Sequence, residues 1–209
     1  MVLRPHDIIK FESLNKILFY SPMPQWVIEE KTCENFAVVR RMPITNKVPI
    51  GLRGKTRSQR QAAFIESDNI IEVIQPESLV KRISLMENDG MKQSLTMLEG
   101  LMNKLLLRWG IAGSLGFEIA TQIKATSETS DIDVVIYVEE IDIAVLTTVY
   151  EFISELEVKV DVQVELDKIG SFVLADLILN YESTILIRTL YGPHLIKVEN
   201  LKQIKTIEV

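Results

Sequence analysis

The sequence predicts an α+β fold: a small β-rich N-terminal domain over residues 1–80, then an α/β domain with a mixed sheet over residues 81–209. Two observations carry that expectation. In the first third, short apolar runs are separated by the turn-formers Pro43, Asn46, Pro49, Gly51 and Gly54, the texture of strands joined by tight connections. From Met91 onward, stretches with helical spacing of apolar residues alternate with stretches of period two.

Phe36 to Met42 and Phe64 to Ile74 read as strand-forming runs, and the texture changes between residues 76 and 90, which places the boundary there. Met91, Leu95, Leu98, Met102 and Leu105 form the stripe of an amphipathic helix that ends before Trp109-Gly110. Ile111-Ala112 leads into a turn at Gly113, followed by a short helix from about Phe117 to Ile123 and a strand from Ile132 to Val138. Val145, Val149, Phe152 and Leu156 mark the next helix, and the strand from Val158 to Leu166 alternates valines with polar residues. The segments Phe172 to Leu179 and Thr184 to Leu190 complete the sheet as strands or helices, which the pattern does not distinguish.

Composition narrows the function. A chain of 209 residues that is 47% hydrophobic is globular rather than disordered. Its apolar runs fall far short of the roughly 20 residues that cross a bilayer, and the N-terminus lacks the pattern of a secretory signal, so a cytoplasmic address is expected. Cys33 has no second cysteine to pair with and reads as a small apolar filler. The net charge of −6 is unevenly spread: Arg40, Arg41, Lys47, Arg53, Lys55, Arg57 and Arg60 stand in a stretch without a carboxylate, which leaves −13 for the remainder. A non-specific nucleic-acid binder is basic over a whole face, so this pattern favours a local pocket for a polyanionic small molecule.

The alternation from Val158 to Leu166 leaves Asp161, Gln163 and Glu165 opposite the valines, and Asp131 and Asp133 share a face across Ile132. Two residues along a strand span roughly 6.5 Å, so three carboxylates can converge on one space. Their repulsion calls for a cation, and Mg²⁺ suits an oxygen-ligand set that also receives phosphate. A pair of such ions about 4 Å apart would activate a hydroxyl and neutralise a leaving pyrophosphate. Gly113-Ser114-Leu115-Gly116, between a strand and a helix, offers close backbone approach, a hydroxyl and free N–H groups to a phosphate. Such a turn occurs in many proteins. The Asp-X-Asp strand 17 residues after Ser114, with another aspartate-bearing strand beyond, makes the combination specific.

Gly113-Ser114, Asp131-Ile132-Asp133 and Asp161 together resemble the polymerase-β-like nucleotidyltransferase superfamily, and that likeness implies phosphate binding at Gly113 and Ser114 and metal binding by Asp131, Asp133 and Asp161. Further motifs narrow it. Arg4-Pro5-His6-Asp7, Trp26-Val27, Val38-Val39-Arg40-Arg41, Gly51-Leu52-Arg53-Gly54, Arg57-Ser58-Gln59-Arg60 and Trp109 to Gly116 resemble the malonate decarboxylase holo-acyl-carrier-protein synthases, which are phosphoribosyl-dephospho-CoA transferases. The likeness spans nearly the whole chain, with Phe117 where the family usually has tryptophan. It implies a catalytic domain over residues 81–209 and a substrate- or carrier-binding domain over residues 1–80. It also implies triphosphoribosyl-dephospho-CoA as donor, the apo acyl-carrier subunit of malonate decarboxylase as acceptor, and Arg40, Arg41, Arg53, Lys55, Arg57 and Arg60 as ligands for phosphates or the carrier. A small nucleotidyltransferase moving AMP from ATP, or a non-catalytic regulatory relative, are the alternatives.

Four other residues carry expectations of their own. His6 reads as a surface or capping residue, His194 as part of a turn at Tyr191-Gly192-Pro193, and Trp109 as core, while Trp26 fits either core or stacking. Gln163 and Glu165 fit either a support for the metal ligands or the solvent side of an edge strand.

Overall fold

The computed structural model describes residues 2–29, 35–56, 58–180 and 183–203; Cys33 and Arg57 lie outside them. The N-terminal half contains β1 (Ile8–Phe11), β2 (Ile17–Leu18), α1 (Gln25–Glu29), β3 (Phe36–Val39), β4 (Lys47–Arg53), β5 (Arg60–Glu66) and β6 (Ile70–Ile74). Its strands form one antiparallel sheet in the order β2-β5-β4-β3-β1-β6. Ile9, Phe11, Ile50, Leu52 and Ile65 are fully buried in one core cluster against it, with Trp26 half-buried beside them.

The C-terminal half continues with α2 (Pro76–Val80), α3 (Asp89–Lys104), β7 (Arg108–Ile111), α4 (Gly113–Thr121), β8 (Ile132–Val138), α5 (Ile143–Ser154), β9 (Val160–Leu166), β10 (Gly170–Val173), α6 (Leu174–Leu179), β11 (Thr184–Thr189) and β12 (Gly192–Lys197). The sheet order is β12-β11-β10-β9-β8-β7; β8 and β9 run parallel and every other neighbouring pair antiparallel, which is the mixed sheet expected. Met91, Leu95, Leu98 and Met102 of α3 are buried as the stripe predicts, and Trp109 is core. Asn88 and Asp142 cap α3 and α5 by accepting from the N–H groups of Met91 and Val145.

Three departures have local causes. The helix expected from Phe117 begins at Gly113, because the phosphate-type turn is itself the first helical turn; it stops at Gln122, whose backbone is left-handed. In α5 the buried stripe is Leu146, Val149 and Ile153, with Leu156 beyond the helix end. His194 is not in a turn but in β12, paired with Ile187; the turn falls earlier, at Leu190 and Tyr191, and closes a β11–β12 hairpin.

Helices cover the back of the second sheet, and the front carries the polar side chains. Two neighbours cover part of that front. Over β7 lies α2, whose backbone at Pro76 and Glu77 fills the space a Cβ on Gly110 would need. Over β8 and β9 lies the N-terminal half, and Ile8 and Ile74 join the core of the C-terminal half. The Tyr137 ring is sandwiched between the Arg4 and Arg108 guanidiniums at 4.7 and 4.8 Å, and Glu77 accepts hydrogen bonds from both arginines. Beyond them, the outer strands β11 and β12 leave their front side chains exposed.

Candidate active site

The strand β7 delivers the chain to Ala112, whose N–H donates to the Asp133 carbonyl at 2.9 Å. Gly113 then takes φ +61° so that the chain can turn into α4, and a Cβ there would overlap the Asp133 carboxylate. Both demands require glycine. Arg53, at the end of β4, reaches over this turn. Its Nη1 donates to the Gly113 carbonyl at 3.1 Å and its Nη2 to the Ser114 hydroxyl at 2.8 Å, while its guanidinium lies 5.1 Å from the Phe117 ring centre. Phe117 is thus a floor under Arg53. Arg53 is only 9% exposed, and its Nε hydrogen has no acceptor among the described residues. Burial lowers its pKa to about 10, helped by Arg60 across the β4–β5 register and opposed by Asp133. A buried guanidinium with an unused donor beside a helix N-terminus has the chemistry to hold an anion.

The parallel register sets Asp133 of β8 directly beside Asp161 of β9, and Asp131 enters the same face at the start of β8. Burial raises the Asp133 carboxyl above its usual range, and the Asp131 and Asp161 charges push it further. Lys159 meets this charge from outside, its ammonium 2.8 Å from Asp161 and 3.8 Å from Asp131 while 71% exposed. Among the described residues no three carboxylate, imidazole or thiol groups converge closely enough to ligate a metal as they stand. The donor set nonetheless fits Mg²⁺: it is all oxygen and mutually repelling, and an exposed ammonium that can swing away already sits between two of its members. The loop into Asp131 is fixed by Glu118 of α4, which accepts from the Ala125 and Thr126 N–H groups at 2.8 and 2.7 Å and from the Thr126 hydroxyl at 2.7 Å. Burial works to raise the Glu118 carboxyl, but these bonds outweigh it and hold it below its usual range.

The structure divides the basic stretch. Arg53 clasps the Gly113-Ser114 turn, Arg60 lies across the β4–β5 register from Arg53, and Lys55 is exposed nearby in the chain. Arg41 instead pairs with Glu165, and the Arg40 stem lies over Gly51. Arg40 and Arg41 line a cleft of about 850 Å³ at the C-terminal ends of β8 and β9, the opposite end of these strands from Asp131, Asp133 and Asp161. His6, expected at the surface, projects from a left-handed turn (φ +74°) to lie 3.1 Å from Gln163 Nε2 and 3.5 Å from Glu165. Gln163 also donates to Ser171 at 2.7 Å, so neither Gln163 nor Glu165 is the solvent side of an edge strand. The sequence reading missed His6, Glu118 and Lys159. Lys159 was within reach of the same alternation that selected Asp161, two positions earlier on the same face.

A family model for the phosphoribosyl-dephospho-CoA transferase MdcG C-terminal domain matches residues 78–199, and one for the MdcG N-terminal domain matches residues 4–76. The chain belongs to the phosphoribosyl-dephospho-CoA transferase family. It is therefore an enzyme, a transferase. It is 28% identical over 196 residues to a phosphoribosyl-dephospho-CoA transferase of Klebsiella pneumoniae (strain 342), covering 92% of this chain and 93% of that relative. Identity to the one of Pseudomonas syringae pv. tomato is 30% over 170 residues, 80% of each chain. No solved structure matches. Among the described residues no helix is long and apolar enough to cross a membrane.

Proposed function

We propose that this chain transfers the phosphoribosyl-dephospho-CoA group of 2′-(5″-triphosphoribosyl)-3′-dephospho-CoA to a serine of the apo acyl-carrier subunit of malonate decarboxylase, releasing pyrophosphate. The observation that carries the reading is the meeting of Asp131, Asp133 and Asp161 with a Gly113-Ser114 turn that Arg53 clasps. The relatives' shared name gives the donor class.

Phosphoryl transfer asks chiefly for position and charge neutralisation. Arg53, the Ser114 hydroxyl and the free N–H groups opening the nine-residue α4 hold the two terminal phosphates. The serine oxygen attacks the α-phosphorus, the bond from that phosphorus to the bridging oxygen breaks, and its electron pair leaves with pyrophosphate. Asp161, the more exposed of the Lys159-paired carboxylates, is best placed to take the serine proton. Asp131, Asp133 and Asp161 would hold Mg²⁺, which when bound offsets their mutual repulsion and the charge of the phosphates. Lys159 must release Asp161 first.

Mass spectrometry of the apo carrier after incubation with this protein, Mg²⁺ and triphosphoribosyl-dephospho-CoA tests the reading. A mass gain equal to the phosphoribosyl-dephospho-CoA group on the carrier serine is expected. An unmodified carrier, with AMP transfer from ATP to another acceptor instead, would overturn it.

A further inference from the structure

The front face of the second sheet is covered over β7, β8 and β9 but open over β11 and β12. Parity through the ladder fixes which side chains stand there: Glu165 pairs with Ser171, Ser171 with Arg188, and Arg188 with Pro193. The same face therefore continues from Asp161 to Leu186, Arg188, Leu195 and Lys197. Leu186 and Leu195 are cross-strand partners, 36% and 73% exposed. The Arg188 side chain is exposed and has no hydrogen-bond or ion-pair partner among the described residues, and Lys197 keeps only a 3.4 Å pairing with exposed Glu199. No carboxylate stands on the front of this hairpin.

In-line displacement gives this open side a direction. The leaving pyrophosphate sits at Gly113, Ser114 and Arg53, on the β7 side of Asp133. The attacking hydroxyl must come from the opposite side of the phosphorus, past Asp161, the side of the sheet on which β10 and then the β11–β12 hairpin lie. Strands about 4.8 Å apart put Leu186 and Leu195 roughly 10 and 14 Å across the sheet from β9. A standard interface of about 800 Å² per partner has a radius of roughly 16 Å, so one docked protein can cover this hairpin while its hydroxyl reaches Asp161.

We propose that the front of the β11–β12 hairpin is the docking surface for the acceptor protein, gripping an acidic face beside the acceptor serine. Leu186 and Leu195 supply the apolar centre, and Arg188 and Lys197 pair with the partner's carboxylates. On a chain of net charge −6, such a local basic patch is what an acidic partner needs. Pro193 and Lys197 on edge strand β12 discourage strand addition, so recognition uses the face and not the edge. This inference rests on the transferase reading.

The test varies carrier concentration at saturating triphosphoribosyl-dephospho-CoA, with transfer read by mass spectrometry, for the wild-type chain, Leu195→Glu and Arg188→Glu. Each variant is expected to raise the carrier KM about tenfold or more and to leave the KM for triphosphoribosyl-dephospho-CoA and the melting temperature unchanged. Arg188→Glu removes no hydrogen bond or ion pair among the described residues, so it reports even where Leu195→Glu folds poorly. Transfer by the wild-type chain with an unchanged carrier KM in Arg188→Glu overturns the docking surface alone. Absence of transfer by the wild-type chain overturns the transferase reading and this surface with it.

Discussion

Arg53 donates to the Ser114 hydroxyl at 2.8 Å across 61 residues of chain, joining the last turn of β4 to the first turn of α4. The N-terminal half thereby contributes to the proposed phosphate seat. Replacing Arg53 with alanine removes a charge-assisted donor pair worth on the order of 1.5–3 kcal/mol, so kcat/KM for the phosphorylated donor should fall roughly 10- to 150-fold. Lysine at this position should restore little, because a point charge cannot span the Gly113 carbonyl and the Ser114 hydroxyl together. Steady-state kinetics at varied donor concentration decide the matter, and an unchanged KM for Arg53→Ala removes the residue from the seat.

Gly113 answers two constraints at once, a left-handed backbone and contact with Asp133. Gly113→Ala should destabilise the fold by about 1–2 kcal/mol from backbone strain alone, and more where the Asp133 carboxylate must shift. Denaturant unfolding reads the first effect and transfer activity the second. A variant as stable and active as the wild type would mean that the turn is not held as described.

For Asp133→Asn, loss of transfer is expected together with an equal or higher melting temperature without metal, since one of three repelling charges is gone. Mg²⁺ should raise the melting temperature of the wild-type chain by mass action and that of the variant much less. An equal Mg²⁺ response in both would remove Asp133 from the metal ligands.

Much of this site was legible before any coordinates. The strand Ile132–Val138 and the alternation of Val160–Leu166 follow from a sheet with helices behind and polar groups in front, and Gly113, Asp131, Asp133 and Asp161 fall out of that pattern. Other parts were hidden for physical reasons. Seven cations share one stretch, and only a contact 61 residues away separates Arg53, which sits at the turn, from Arg41, which serves Glu165. His6 reaches Gln163 because its backbone is left-handed, which no spacing announces. The β11–β12 hairpin escaped because Leu186 and Leu195 are apolar on the exposed face, which erases the period of two.

Lys159 supplies a second view of the metal question. It stands between Asp161 and Asp131 and is largely exposed, so a bound cation would compete with it. Lys159→Met should lower the melting temperature without metal, leaving the carboxylates unbalanced, and should enlarge the increase that Mg²⁺ brings. Thermal melts across a Mg²⁺ titration check this. Identical titrations for variant and wild type would mean that the ammonium and the metal do not share a place.

Asp7 gives the fold a pH dependence of unusual sign. Its side chain is fully buried, Oδ2 accepts from the Arg4 N–H at 2.8 Å, and Oδ1 accepts no hydrogen bond among the described residues, its ion pair with the Arg4 guanidinium being 3.8 Å long. Burial raises its pKa from 3.8 to about 6, against the lowering pull of Arg4, with Glu77 adding to the rise. A carboxyl whose folded pKa exceeds its unfolded one contributes stability that is fully present below the unfolded pKa and is lost as pH rises through the folded pKa. Between about pH 4 and pH 7 that amounts to on the order of 2–3 kcal/mol. Glu77, Glu118 and Glu165, held below their usual range, pull the other way as pH falls, so the wild-type curve alone is ambiguous. The difference between Asp7→Asn and the wild type isolates the group. The stability of the variant relative to the wild type should grow as pH rises from about 4 to 7 and level off above that range. Urea midpoints at three pH values are sufficient, and parallel curves would mean that Asp7 titrates as an ordinary surface carboxylate.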